Sequence, residues 1–344
     1  MKGNSAHRQA GISMVEILIA LVISLFLLGG IVQVYLANKA TYKFTEALAR
    51  VQENGRFAIE FMVQDLRLAG FFGCALYDPE DPENIVNNLD PDGAGYDAAL
   101  HDFVLGGVIE GTEADGMNAS DSVTLRGSKP GQLNVVPPYN VNKSAAIFVT
   151  ANDVVQPDDI VMVSNCRGAD IFQVTNTTQS GGANKMSVVH NTGNNSPGNY
   201  NPDNCHGGNA HCLSQSYGAD AALFRLQSVT YSIAPGASGE PSLWRSENGI
   251  NLELIEGVEQ MQLLYGLDTD DDDFPNQFVT IDNVGNTFDV VAVRIMLMVR
   301  SFEDQVVEDN QTYTFNGNTV TAADRRLRQE FSTTVALRNR VGSS

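Results

Sequence analysis

Hydrophobic and polar positions change character three times along this chain. Residues 1–11 are polar and carry Lys2 and Arg8 with no acid. From Ile12 to Leu36 the positions are apolar almost without interruption, and Glu16 is the one charge. A helix of that length reaches about 37 Å, enough to cross a hydrocarbon core of about 30 Å. The basic flank ahead of it predicts a cytoplasmic amino end with the bulk of the chain on the far side. From Ala37 to Ala69 the pattern turns amphipathic. Ala47, Leu48, Val51, Phe57, Ala58, Phe61, Met62, Leu66 and Ala69 recur at three- and four-residue spacings, a stripe expected to pack on the protein's own core. The two patterns together predict one long helix, exposed in its first half and buried in its second. Gly29-Gly30 is its expected soft point, because glycine is a poor helix former.

Gly70-Phe-Phe-Gly-Cys74 is expected to end that helix, followed by Asp-, Pro-, Asn- and Gly-rich sequence to about Asn118. Short strands separated by turns are then predicted at Ser122–Arg126, Ala146–Thr150, Asp159–Ser164, Ile171–Asn176, Lys185–His190 and Leu223–Ile233. Later ones are Ser242–Ser246, Gln260–Leu267, Asp289–Arg300, Gln311–Phe315 and Glu330–Leu337. In Asp289–Arg300, Val291, Val293, Ile295, Leu297 and Val299 form a purely apolar face, and Val290, Ala292, Arg294, Met296 and Met298 a mixed one. A sheet that covers a helix needs such a face. The predicted class is α+β: a long N-terminal helix packed on a large antiparallel β-rich head. The expected divisions are 1–11, a helix over 12–69 with 12–36 transmembrane, and a head over 70–344.

Charge sharpens this division. The chain of 344 residues has 21 Lys and Arg against 41 Asp and Glu, a formal charge of −20. Residues 1–11 carry +2, residues 12–69 hold five bases and five acids, and the remainder has 14 bases and 36 acids, or −22. So acidic a head disfavours direct nucleic-acid binding, which needs a cationic face.

Glu16 requires an explanation, since a carboxylate inside a membrane helix costs about 2.5–3.5 kcal/mol. Were the chain cut after Gly11, the new amine on Ile12 would lie four residues before Glu16 and could neutralise it. An ordinary secretory signal explains the segment less well, for the apolar run is long and no Ala-x-Ala-like site closes it. The basic leader, Gly11, Ile12, Glu16 and the apolar run together resemble a class III (type IV) prepilin signal. The resemblance implies cleavage after Gly11 by a prepilin peptidase, methylation of the new terminus, and a role for Glu16 in adding the subunit to a filament.

Head segments resemble the PilW-type minor pilins: Asp65-Leu-Arg-Leu-Ala-Gly-Phe-Phe-Gly-Cys74, Cys166-Arg-Gly-Ala-Asp-Ile-Phe-Gln-Val174, Leu252 to Gly266, Val291-Ala-Val-Arg-Ile295, and Phe331 to Asn339. This resemblance implies a non-enzymatic subunit that helps prime pilus assembly in a tip complex, supporting twitching motility and adhesion. Implied partners are the prepilin peptidase, the major pilin, other minor pilins and a large tip adhesin. The implied location is the inner membrane, with a periplasmic head, before assembly and the pilus afterwards. A minor pseudopilin of type II secretion shares the leader and helix and is the alternative, as is a pilus-tip adhesin that binds surfaces directly.

A head outside the cytoplasm favours disulfides for Cys74, Cys166, Cys205 and Cys212. Three connectivities are open, and the preferred one joins Cys205 to Cys212 and Cys74 to Cys166. Cys205-His206-Gly-Gly-Asn-Ala-His211-Cys212 also offers two sulfur and two nitrogen ligands, but zinc needs thiolates that an oxidising compartment removes. The run from Asp268 to Phe274 holds five carboxylates, and Asp268, Asp270 and Asp272 alternate as calcium ligands do. It lacks an EF-hand's glycine and later glutamate, and a solvated acidic turn is the simpler reading. No other cofactor is expected. His101 and His190 lie in polar stretches without a nucleophile motif, and Trp244 reads as core or edge packing. Arg325, Arg326, Arg328, Arg338 and Arg340 form the head's only basic concentration, expected on solvated strand flanks.

Overall fold

The computed structural model describes residues 13–73, 84–104, 108–139, 144–151, 153–179, 184–192, 195–200, 213–270, 272–337 and 339. Helix α1 runs unbroken from Met14 to Leu68. It continues through Gly29-Gly30, so the expected soft point does not interrupt it; the flanking Leu and Ile carry helical backbone across the pair. The helix ends where Ala69 adopts extended ψ and Gly70 takes a φ of +76°, a conformation open to glycine.

Every described position from Ser13 to Thr41 is exposed, whereas Val51, Ala58, Met62 and Leu66 are buried in the head. The stripe differs from expectation at two aromatics: Phe57 and Phe61 are 39% and 42% exposed. Gly55 and Asp65 are buried on the core side instead. At about 100° per residue, Phe57 and Phe61 fall on the flank of Ala58 and Met62 rather than beneath them.

The largest sheet is ordered β1 (Ile85–Asn87), β6 (Gly168–Gln173), β5 (Ile160–Asn165), β9 (Ala222–Pro235), β10 (Pro241–Glu247) and β11 (Ile250–Glu256). Strand β3 (Ser122–Asn134) also pairs with β9, and β2 (Ile109–Thr112) pairs with β3. One edge of β9 is shared, with β5 along its first residues and β10 along its last, and β3 takes the other edge. A second, antiparallel sheet is ordered β13 (Gln277–Val279), β12 (Val258–Leu267), β14 (Val290–Arg300) and β17 (Arg328–Ala336). Helix α1 packs on β14 and β17, and the main core lies between this sheet, the helix and the β3–β9–β10 region. A three-stranded sheet of β4 (Ala146–Thr150), β8 (Lys185–Val189) and β7 (Asn176–Gln179) covers a separate core around Phe172 and Val188. The hairpin of β15 (Thr312–Phe315) and β16 (Asn318–Thr321) caps the far face of β14, where Met296, Met298 and Phe315 cluster. The class is therefore α+β as the periodicities predict.

Strand β14 shows how one residue changes a face. Leu267 pairs with Val290 while Gly266 pairs with Ala292, so Val291 is a bulge. The alternation shifts there, and Val290 rather than Val291 joins Val293, Ile295, Leu297 and Val299 in the helix-side core. Strand β3 is longer than Ser122–Arg126 because a register shift between Ser128 and Gln132 accommodates Pro130 without breaking the pairing with β9. Strand β6 begins three residues before the predicted Ile171, where its antiparallel register with β5 starts at Gly168. Strands β1, β2, β7, β13 and β16, and the four-residue helix α2 (Ala98–His101), carry no apolar alternation, while β11 alternates Ile250, Leu252 and Leu254 with Asn251 and Glu253 yet is not among the predicted strands; β7 and β16 are polar, and α2 is fixed locally by Asp97 accepting the amide of Ala99.

Candidate functional site

The feature with the largest consequence is α1 itself. Its amino-terminal part is long and apolar enough to cross a membrane, and none of that stretch is buried in the protein. Glu16 sits exposed in the first turn, where the helix dipole favours a negative charge. Gly11 and Ile12 lie outside the described residues, so Glu16 alone of the processing and assembly residues has a described position.

The carboxyl-terminal half is tied to the head by polar contacts that span the chain. Asn54 donates to the carbonyl of Glu256 at 3.0 Å, and Lys43 donates to the carbonyl of Asp304 at 2.7 Å. Asn339 donates to the carbonyl of Ala69 at 2.9 Å, covering the helix end. Asp65 accepts from Tyr231 Oη and from Arg245 Nε, and Arg245 also pairs with Glu247. Burial, and then the charge of Asp65, push the Tyr231 hydroxyl above its ordinary pKa and keep it a donor. From the sequence Asp65 belongs with Glu46, Glu53 and Glu60 on the helix's polar surface; the fold buries it instead. A cavity of about 330 Å³ lies between α1 and the segment after β14, lined by Lys43, Glu46, Arg50, Asn54, Arg300 and Phe302.

The basic cluster is a correction. Arg326 and Arg328 are not solvated flanks: Arg328 pairs with Glu259 and Asp324, and Arg326 with Glu240 and Asp324. Arg300 joins the network through Glu240 and Glu259. Bidentate guanidinium contacts suit such a cross-sheet lattice. Arg338 and Arg340 lie outside the described residues. His190 is also not in a solvated loop; it is fully buried, its ring 4.8 Å from that of Phe172.

Asp268, Asp270 and Asp272 bring carboxylate oxygens within 4.8 Å of one another. The Asp268 carboxylate also accepts the amides of Asp270, Asp272 and Asp273. Cys166 is disulfide-bonded. Cys74, Cys205, Cys212, His206 and His211 lie outside the described residues. Sequence reasoning passed over Glu113, Asp121 and Tyr265, which the fold brings to one corner of the head.

Residues 230–339 match the PilW family model, described as Type IV Pilus-assembly protein W. The matched stretch runs from the end of β9 through β17 and includes Tyr231, Arg245 and the sheet beneath α1. The match supports the PilW family and a protein associated with the type IV pilus. No curated protein and no solved structure matches the chain.

Proposed function

We propose that this PilW-like chain is a minor pilin that helps initiate pilus assembly and form the tip complex, in support of twitching motility and adhesion. The observation that carries the reading is the division of α1, with an unburied apolar half projecting from a head that grips the other half. An exposed apolar surface of that length needs lipid or other apolar helices around it. The same segment serves as membrane anchor before assembly and as filament core afterwards. Cleavage after Gly11 would supply the amine of Ile12, and Glu16 is neutralised by an amino terminus as the helix leaves the membrane. Cys74 and Cys166 form one disulfide of the head and Cys205 and Cys212 the other. The major pilin, companion minor pilins and a tip adhesin are the partners. The test is Glu16→Ala in cells: leader removal persists, while the subunit is depleted from sheared pili. Normal pilus number and normal content of the subunit in that variant would defeat the reading.

A further inference from the structure

Strand β17 is the last strand of its sheet, and its register with β14 runs from Arg328 to Ala336 without a shift. The amide of Leu337 reaches the carbonyl of Val291, and that of Ser301 reaches Leu327, so odd-numbered residues turn their backbone groups toward β14. Even-numbered residues turn theirs outward. At Arg328 the outward pair is occupied: its amide donates to Oε1 of Gln311, and Nε2 of Gln311 donates to its carbonyl, both at 2.8 Å. That side chain bonds β17 as the backbone of a further strand would. Beyond it, the amides and carbonyls of Glu330, Ser332, Thr334 and Ala336 have no partner among the described residues, and all four residues are exposed.

Edge strands are commonly protected by lysine, proline or a bulge, and β17 has none of these. The strand and α1 run in the same direction, since Phe331 lies against Gly55 and Asn339 donates to the carbonyls of Arg67 and Ala69. Asn54 and Asp65 face β11 and β10, which leaves the opposite flank of α1 to the β17 side. Arg56, Ile59, Val63 and Arg67 share that flank at three- and four-residue spacings. Ile59 and Val63 are half-buried and the two arginines exposed. No ion pair joins Arg56 or Arg67 to an acid among the described residues. On the other face of the sheet Arg294 donates to Thr334 Oγ1 at 3.4 Å and is likewise in none of these pairs. In a protein with so large an excess of acid, arginines without acidic partners stand on both sides of one open edge.

We propose that the open edge of β17 takes an extended segment of a partner protein as an added strand, one that alternates apolar and polar residues and carries a carboxylate toward each end. Main-chain bonds to Glu330, Ser332, Thr334 and Ala336 supply affinity, and alternate side chains supply specificity. Those on the helix side meet Ile59, Val63 and Phe331 and are therefore apolar. Arg56 and Arg67 lie about 16 Å apart along α1, the span of about five strand residues, so two acids at that separation reach both. A second copy of this chain fits poorly. Its β17 carries one acid, Glu330, and antiparallel addition would point the two α1 helices in opposite directions, against a common membrane. The inference goes beyond the pilus reading, and its test does not use pili.

The probe is the end-blocked peptide Thr-Glu-Thr-Val-Thr-Val-Thr-Glu-Thr, added to the full-length chain in detergent. Polarisation of a labelled peptide reports binding, and hydrogen exchange at single amides reports the place. In the free chain the amides of Glu330, Ser332, Thr334 and Ala336 exchange fast and those of Phe331, Thr333 and Val335 slowly; the peptide binds and slows the first set. Methylating alternate backbone nitrogens of the peptide abolishes binding. So does Ser332→Pro, which removes an outward N–H that the pairing with β14 does not use. Arg56→Glu combined with Arg67→Glu, both exposed, leaves melting unchanged and weakens binding several-fold, and added salt weakens the wild type in the same way. The proposal falls if the four amides are already protected in the free chain, if the peptide fails to bind at millimolar concentration, or if binding ignores N-methylation. Wild-type dimers that Ser332→Pro dissociates would also overturn it, by giving the edge to a second copy.

Discussion

The carboxylate of Asp65, in the last turn of α1, accepts a 2.5 Å hydrogen bond from the hydroxyl of Tyr231 in β9. Arg245 adds a charge-assisted bond at 2.8 Å, so one helix side chain ties α1 to two strands. Tyr231→Phe should cost about 1.5–3 kcal/mol, the range for a hydrogen bond to a charged group. Asp65→Asn should cost about 2–3 kcal/mol, because it leaves Arg245 half-buried with only Glu247 as partner. Denaturant titration of both variants and the double variant checks this; in the double variant the losses should be less than additive.

Gly55 faces the Phe331 ring so closely that a Cβ would overlap it, whereas nothing approaches Gly29 or Gly30. Gly55→Ala should destabilise the head by about 1–3 kcal/mol through overpacking. Gly29→Ala and Gly30→Ala should leave head melting unchanged. Equal effects at all three positions would mean that helix propensity, not close approach, governs Gly55.

Phe57 and Phe61 form an exposed aromatic pair on the flank of α1, each one residue before a buried position, Ala58 and Met62. Because they are exposed, Phe57→Ala and Phe61→Ala should each change head stability by less than about 1 kcal/mol. The double variant should nonetheless enter sheared pili less well, because exposed aromatic side chains beside the head suit contact with a neighbouring subunit. Unfolding curves and immunoblots of pilus fractions separate the two effects.

Asp324 has its carboxyl held down to about 2, chiefly by hydrogen bonds from Arg328, against the opposing push of burial, with the Arg326 amide and the charges of Arg328 and Arg300 adding to the lowering. A folded pKa below the unfolded one gives stability that is present at neutral pH and lost as pH falls from about 4 toward 2. Asp324→Asn should therefore be less stable than wild type at pH 6, with the gap closing near pH 2. Melting temperatures across that range test the sign; a gap that stays constant would remove Asp324 from the acid response.

Legibility followed the range of each interaction. Strand β4 was readable to the residue, because Ile147 and Val149 alternate with outward positions and turn residues flank them. Strands β7 and β16 were not, since Asn-Thr-Thr-Gln and Asn-Thr-Val-Thr carry no apolar face and exist only through their partners. Arg326 and Arg328 read as exposed because nothing nearby in sequence reveals Glu240 and Glu259.

The sequence by itself determined the two-part helix and the α+β class, because uncharged length and three-to-four-residue spacing are local properties. It also confined nearly all excess acid to the head. Only the tertiary structure decided which charges are paired and which are left without a partner. Asp65 meets Tyr231 across 166 positions, and Glu113 comes to lie near Tyr265 only when β2 and β12 are packed. Such contacts depend on strand register, and a one-residue slip would send the same side chains to the opposite face.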